Sequence, residues 1–162
     1  MNNSMQLDVK LYPADVVQKQ IYSILSAWRM AEKDADITAN VMVETDLRGV
    51  DSHGINMLRQ YEETKRRGAL NLTPNTKSIR DRATTALIDA DRGLGHPVSV
   101  KAMELAIEKA KTYDIGTVCV RNSHHFGAAG YYAELAAKQG MIGIVTTSTR
   151  GISMVPTNGT QP

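Results

Sequence analysis

Three of the four histidines in this chain lie in two short turns that also carry glycine and a hydroxyl side chain. One turn spans residues 123–127 and reads Ser-His-His-Phe-Gly, and the other spans residues 51–54 and reads Asp-Ser-His-Gly. Histidine can take or give a proton near neutral pH, and loops at the ends of rigid elements often carry chemistry. The two turns are therefore the first candidates for a functional site.

His125 and His124 are candidates for acid–base catalysis. Reducing a ketone, or oxidising an alcohol, needs a proton donor or acceptor at the oxygen while hydride moves at carbon. In the other turn, Ser52 and His53 could hold a carboxylate or an amide by hydrogen bonds. Ser52 also precedes a helical run, where it could instead accept backbone N–H bonds as a helix N-cap. The residues alone leave both interpretations of Ser52 open.

A metal site at these histidines is the weaker interpretation. His53, His124 and His125 could in principle ligate zinc, but adjacent side chains diverge and seldom point the same way. The chain has one cysteine and no His-Glu-x-x-His run, whereas cysteine pairs or that run usually mark zinc sites. We therefore predict no metal site.

A dinucleotide fingerprint is incomplete in residues 92–98, which read Arg-Gly-Leu-Gly-His-Pro-Val between a predicted strand and a predicted helix. Val98 stands where the third glycine of such a fingerprint belongs, and Arg121 stands where an acidic residue is expected after the next strand. We therefore expect an ordinary turn, with proline at the start of a helix.

The composition is that of a globular domain. Of 162 residues, 42% are hydrophobic and 22% are charged, and the net charge of +2 is too small to indicate a nucleic-acid or membrane surface. The single cysteine fits a reducing cytoplasm, and we expect Cys119 to be a small buried hydrophobe. No apolar run approaches the roughly 18 residues that span a bilayer, and the first residues lack a signal-peptide pattern. We predict a cytoplasmic protein whose partners include neither nucleic acid nor membrane.

The spacing of apolar residues predicts helices first and alternating strands and helices afterwards. Helices are predicted around 17–28, 34–47, 55–67, 97–113 and 128–139, and strands at 78–80, 85–90, 116–121 and 141–147. This order predicts an α/β fold, with a helical N-terminal subdomain in residues 1–74 packed on a sheet domain in residues 75–162. Residues 148–162 show no periodicity, which is typical of a loop that leads to something absent or of a fraying terminus.

Two motifs, in this order along the chain, resemble those of the malate/L-lactate dehydrogenase family, a non-Rossmann group that includes sulfolactate and ureidoglycolate dehydrogenases. They match its N-terminal signature at residues 46–54, Tyr61 and 68–71, and its catalytic-histidine turn at residues 123–127 and 130–132. Residues 154–156 with Gly159 resemble, more weakly, the family's cofactor-side loop. The resemblance covers nearly the whole chain from about Tyr12.

The resemblance implies an NAD(P)-dependent oxidoreductase that acts on a 2-hydroxy or 2-oxo acid as a homodimer. It also implies a mixed sheet that binds NAD or NADP without a Rossmann fingerprint, which agrees with the incomplete glycine pattern above. The family's acid–base histidine corresponds to His125, which would accept the hydroxyl proton as hydride leaves for the nicotinamide. His124 would then be a supporting or structural neighbour.

The same resemblance implies further site residues. Ser52, His53 and Tyr61 match positions that line the substrate and nicotinamide pocket. Ser148 or Thr149 matches a cofactor contact at the end of a strand.

The chain departs from the family pattern in two ways. Met57 stands where the family commonly has an arginine that grips the substrate carboxylate, and methionine cannot form such a fork. Arg59 lies two residues on, about 200° round a helix, so it is no simple replacement. Either another residue binds the carboxylate, or the substrate differs. Family members are also about twice as long, and most of their dinucleotide contacts come from the half missing here. We therefore expect a truncated, N-terminal part of such an enzyme; the alternative is a non-catalytic fragment that folds or dimerises but lacks the cofactor-binding half.

Overall fold

The computed structural model describes residues 10–148, which form five helices, a short 3-10 turn and three strands. The helices are α1 (Ala14–Ala27), α2 (Glu32–Leu47), α3 (Leu58–Arg66), α4 (Gly95–Tyr113) and α5 (Ala129–Ala137), and the 3-10 turn is Ile55–Met57. The strands are β1 (Lys77–Asp81), β2 (Thr85–Asp89) and β3 (Thr117–Arg121). Within this described range, no helix has both the length and the apolar character needed to cross a membrane.

The first three helices pack around one apolar core, as their residue spacing predicts. Ile21 and Leu25 of α1 are buried in it, together with Ala39 and Met42 of α2 and Tyr61 of α3. Burying a large apolar side chain contributes about 1.5–3 kcal/mol, so this core holds the three helices against one another. It also fixes Tyr61 on the inner side of α3.

Glycines follow α2 and α3 at the predicted places. Gly49 and Gly68 have φ values of 72° and 67°, in the left-handed region that favours glycine just past a helix C-terminus. The chain therefore turns sharply after α2 and enters the histidine-bearing turn at residues 51–54.

The second part of the chain forms a mixed sheet with the strand order β1-β2-β3. β1 and β2 are antiparallel, whereas β2 and β3 are parallel and are joined by α4. A second apolar cluster lies between α4 and one face of the sheet, and Ile88, Val98 and Ala102 are buried in it. The predicted α/β fold with a mixed sheet is therefore confirmed.

The strand predicted at residues 141–147 is wrong for the described structure. Residues 141–148 pair with no strand of the range 10–148, and Ile142 and Ile144 are 92% and 80% exposed. Gly143 packs directly against the backbone of Ala133 in α5. A strand forms only where a neighbour supplies the hydrogen-bonding ladder, and an alternating sequence does not provide that neighbour.

Two local differences bear on the site and on the chemistry of the chain. Helix α4 begins at Gly95 rather than at Pro97, so His96 lies in its first turn. Cys119 is exposed rather than buried. It alternates along β3 with Val118 and Val120, which pack towards α4, so its side chain lies on the opposite face of the sheet.

Candidate active site

The parallel pairing of β2 and β3 brings the loops that follow them to the same edge of the sheet. Backbone hydrogen bonds then join these two loops. The His124 N–H donates to the Gly93 carbonyl at 3.0 Å, and the Gly95 N–H donates to the His125 carbonyl at 2.9 Å. The position of the histidine turn at residues 123–127 is therefore set by the sheet and by the start of α4.

Gly95 is what allows the two loops to approach so closely. A Cβ atom at this position would lie 2.5 Å from Cβ of Phe126 and 2.6 Å from the His124 carbonyl oxygen. The helix N-terminus that binds a phosphate in a Rossmann fold is here packed against residues 124–126. The short glycine pattern at residues 93–95 thus has a packing role.

His125 is held from its Nδ1 side. The Tyr61 hydroxyl lies 2.7 Å from this nitrogen, and the Gly127 N–H donates to it at 3.3 Å. Burial, with the neighbouring His53 as a smaller contribution, lowers the pKa of His125 to about 4. The ring is therefore uncharged at neutral pH, which is the state in which an imidazole can accept a proton.

The turn at residues 51–54 faces His125. The ring centroids of His53 and His125 lie 5.2 Å apart, and Ser52 Oγ is 2.8 Å from Nδ1 of His53. The Ser52 hydroxyl thus contacts the imidazole beside it and does not cap the following helical turn. The structure therefore does not support the interpretation of Ser52 as a helix N-cap.

Asp46 provides the cap that Ser52 does not. Its Oδ2 accepts the Ile55 N–H at 2.9 Å, and burial raises the pKa of this carboxyl. Gly54 lies so close to the Asp46 carboxylate that a Cβ there would overlap it. This contact fixes the turn that carries Ser52 and His53 against the end of α2.

Tyr61 is 2% exposed, and burial raises the pKa of its phenol. Its hydroxyl lies between two imidazoles, 2.7 Å from Nδ1 of His125 and 3.4 Å from Nε2 of His96. The resemblance implies that Tyr61 lines the substrate pocket. The structure places its hydroxyl against Nδ1 of His125, the acid–base candidate.

His96 is the site residue that the sequence analysis missed. Its exposed fraction is 0%, its ring centroid lies 6.3 Å from that of His125, and burial lowers its pKa to about 3. Its neighbours in the sequence gave no signal, because its approach to His125 depends on the parallel pairing of β2 and β3. The sequence pattern alone drew attention only to the glycines.

His124 has a different role from its neighbour. Its Nε2 lies 2.9 Å from the Ala69 carbonyl oxygen, so it ties the histidine turn to the segment after α3. Beside both histidines is a cavity of about 60 Å³, lined also by Gln60, Thr64 and Leu94. That volume is of the order of two water molecules.

The remaining site predictions lie elsewhere. Met57 is half-buried and packs on the helical core, whereas Arg59 is exposed. Ser148 is exposed at the end of the described range, and Thr149 lies outside the described residues. Among residues 10–148, no group of three or more histidine, cysteine, aspartate or glutamate side chains could hold a metal ion.

Comparison with known proteins gives one consistent result. The family model described as malate/L-lactate dehydrogenase matches residues 12–162. The chain is 44% identical over 149 residues to a malate dehydrogenase from Pyrococcus abyssi, covering 92% of this chain and 41% of that protein. It is 47% identical over 142 residues to an L-sulfolactate dehydrogenase from Methanocaldococcus jannaschii, covering 88% of this chain and 41% of that protein.

Solved structures agree with the sequence comparison. The sulfolactate dehydrogenase of Methanocaldococcus jannaschii superposes with a TM-score of 0.78 at 45% identity, over 80% of this chain and 38% of that one. The malate dehydrogenase of Pyrococcus horikoshii gives a TM-score of 0.76 at 45% identity, over 79% of this chain and 37% of that one. The chain spans about two fifths of the length of the relatives it matches.

Proposed function

Because the chain belongs to the malate/L-lactate dehydrogenase family, we propose that it carries the acid–base and substrate-side residues of a nicotinamide-dependent oxidoreductase. The reaction moves hydride between NAD or NADP and a 2-hydroxy or 2-oxo acid. The single observation that carries the proposal is an uncharged His125, held at Nδ1 by Tyr61, facing the turn of Ser52 and His53. The substrate class is supported by the names of the relatives, since malate and sulfolactate are both 2-hydroxy acids.

In this proposal His125 handles the proton of the reaction. The nicotinamide, when bound, supplies or accepts the hydride at C2 of the substrate. His125 takes the hydroxyl proton in the oxidation direction and returns it to the carbonyl oxygen in reduction. The residues fit such a reaction because the half-buried imidazole is neutral at pH 7. Its Nδ1 is engaged by Tyr61, so Nε2 is the ring nitrogen left for the substrate oxygen.

Ser52 and His53 orient the acid group of the substrate in this proposal. Both lie in the turn that faces His125, and Ser52 is exposed. Met57 supplies no charge, and its side chain packs on the core. Hydroxyl and imidazole hydrogen bonds therefore take over the recognition that an arginine fork commonly provides.

The cofactor and the assembly are further parts of the proposal. The start of α4 is closed by the histidine turn, so the described residues do not support a phosphate site there. We place the cofactor contact at Ser148 and Thr149 instead. We also propose that the protein is cytoplasmic and works as a homodimer.

A direct test is to titrate NADH and NADPH into the 162-residue chain and to follow nicotinamide fluorescence. The rate of nicotinamide oxidation is then measured at 340 nm with oxaloacetate and with 3-sulfopyruvate, the 2-oxo acids of malate and sulfolactate. Saturable binding with turnover of either acid supports the proposal. Saturable binding without turnover of these or other 2-oxo acids would count against the assigned reaction.

The coverage of the relatives favours a second candidate. The chain spans about two fifths of its relatives' length. In this second candidate it is a folded or dimerising module that does not hold a nicotinamide by itself. The titration separates the two candidates, because tight binding of either dinucleotide refutes the second. Absence of binding by a chain that is folded by circular dichroism supports it.

A further inference from the structure

His96 is a fully buried polar side chain to which the proposed reaction assigns no role. It lies in the first turn of α4 with an exposed fraction of 0%, and within residues 10–148 its Nδ1 has no hydrogen-bond partner. Native proteins rarely leave a buried polar atom unpaired, and such atoms call for an explanation. The other ring nitrogen, Nε2, approaches the Tyr61 hydroxyl at 3.4 Å.

The Tyr61 hydroxyl couples His96 to His125. A phenol has one proton and can donate it to only one acceptor at a time. When Tyr61 donates to Nδ1 of His125, 2.7 Å away, a neutral His125 carries its proton on Nε2. When Tyr61 turns its proton to Nε2 of His96, its oxygen can instead accept a proton held on Nδ1 of His125. The proton positions of the two histidines are therefore linked.

The backbone around His125 favours the first of these arrangements. The Gly127 N–H also donates to Nδ1 of His125, at 3.3 Å, which favours Nδ1 as an acceptor and Nε2–H as the neutral form. His96 then donates its own Nε2–H to the Tyr61 oxygen. Its partnerless Nδ1 carries a lone pair, which is less costly to bury than an unpaired N–H. We call this the resting arrangement.

Proton acceptance by His125, in the oxidation direction of the proposed reaction, needs the second arrangement. To accept a proton at Nε2, neutral His125 must carry its existing proton on Nδ1. That N–H must donate to the Tyr61 oxygen, and Tyr61 must then find an acceptor for its own proton. Within residues 10–148, the other hydrogen-bond partner of the Tyr61 hydroxyl is Nε2 of His96. The same arrangement also holds the protonated form of His125 without further change.

We propose that His96 is a positioning residue of this site, which determines through Tyr61 which ring nitrogen of His125 carries the proton. The inference rests on the proposed acid–base role of His125. Among residues 10–148, the titratable groups that face His125 are Tyr61 from α3, His96 from α4 and His53 from the facing turn. Burial lowers the pKa of His96 to about 3, so near neutral pH His96 exchanges one tautomer for the other without becoming charged.

The test uses the 162-residue chain labelled with ¹⁵N-histidine, because the ¹⁵N shifts of an imidazole report which nitrogen is protonated. Spectra are recorded at pH 7.5 for the wild type and for His96→Gln, His96→Leu and His96→Phe. The side-chain oxygen of glutamine can accept the Tyr61 proton directly. His96, in contrast, must first move its own proton from Nε2 to Nδ1. Glutamine should move His125 measurably towards the Nδ1–H form, whereas both apolar variants should leave it in the Nε2–H form.

Tyr61→Phe is the control that separates an effect transmitted through the Tyr61 hydroxyl from a general structural effect of His96. Without the phenol the link is cut, so His96→Gln and His96→Leu should give the same His125 spectrum in that background. Equal His125 tautomers in His96→Gln and His96→Leu, with Tyr61 present, would overturn the proposal. A difference that persists without the Tyr61 hydroxyl would also overturn it. If one apolar variant does not fold, the other supplies the comparison.

These spectra do not depend on hydride transfer. A chain that shows the coupling but no dehydrogenase activity would sustain the positioning role and count against the proposed function. A chain that is active but shows no coupling would support the proposed function and count against the positioning role. The two proposals can therefore fail separately.

Discussion

The backbone N–H of Gly95 donates to the carbonyl oxygen of His125 at 2.9 Å, so the first residue of α4 holds the histidine that we propose as the acid–base group. The two residues are 30 positions apart in the sequence. Their contact follows from the parallel pairing of β2 and β3, which brings the loops after both strands to one edge. The helix start and the histidine turn therefore form one hydrogen-bonded unit.

Substitution of Gly95 tests this unit. In Gly95→Ala the new Cβ would lie 2.5 Å from Phe126 Cβ and 2.6 Å from the His124 carbonyl oxygen, so the histidine turn must move. We expect the free energy of unfolding in urea to fall by about 1–3 kcal/mol. The matched control is Gly130→Ala in α5, where nothing lies within 4 Å of the added atom. Since alanine is the better helix former, we expect that variant to gain up to about 1 kcal/mol.

The contact between Asp46 and Gly54 gives a second test. The Asp46 carboxylate occupies the space that a Cβ of Gly54 would need and accepts the Ile55 N–H at 2.9 Å. We expect Asp46→Ala to lower the free energy of unfolding by about 1 kcal/mol, as loss of a helix cap does. Gly54→Ala alone should cost at least as much, because the carboxylate has to leave its position.

The double variant of Asp46 and Gly54 should show non-additivity. With the carboxylate gone, the added methyl group meets no acidic side chain, so the combined loss should be smaller than the two single losses added together. Urea unfolding of the four proteins gives the interaction free energy directly. Additive losses would mean that the two residues do not restrain each other.

The buried imidazoles predict how stability depends on pH. Burial lowers the pKa of His96 to about 3 and that of His125 to about 4, whereas a histidine in the unfolded chain has a pKa of about 6.5. Between these values the unfolded chain binds more protons than the folded one, so stability falls as the pH falls. We expect each histidine to contribute a slope of up to about 1.4 kcal/mol per pH unit between roughly pH 6 and pH 4.

Chemical unfolding of the wild type and of His96→Gln, measured at several pH values from 7.5 to 4, checks this dependence. The slope of the unfolding free energy against pH should be smaller in the variant by the contribution of about one proton, because glutamine does not titrate. The slope that remains should belong largely to His125. Parallel curves for the two proteins would show that His96 is not buried in its neutral form.

The sequence predicted those features that depend on neighbours along the chain. The apolar spacing located the helices, and Gly49 and Gly68 marked where α2 and α3 end. The strand expected at residues 141–147 did not form in the described structure, since alternation fits a strand but pairing depends on a partner. The prediction that Cys119 is buried was wrong for a similar reason, because an apolar run does not reveal which of its two faces is covered.

Prediction of the candidate site from the sequence has the same limit. A turn with two histidines can be recognised from residue types, and the family resemblance singled out His125. His96 was missed because its importance lies in a 3.4 Å approach to Tyr61, which only the assembled sheet and helices create. Its burial could not be inferred from one histidine after a glycine.

Turnover of the His125→Ala variant tests the central claim most directly, in a protein of full family length that carries these residues. Nicotinamide oxidation is followed at 340 nm with a saturating 2-oxo acid, and the matched control is His124→Gln in the adjacent position. We expect His125→Ala to lower kcat by about 10²-fold or more, while His124→Gln stays within a few-fold of the wild type. Near wild-type turnover in His125→Ala would contradict the assignment of His125 as the acid–base group.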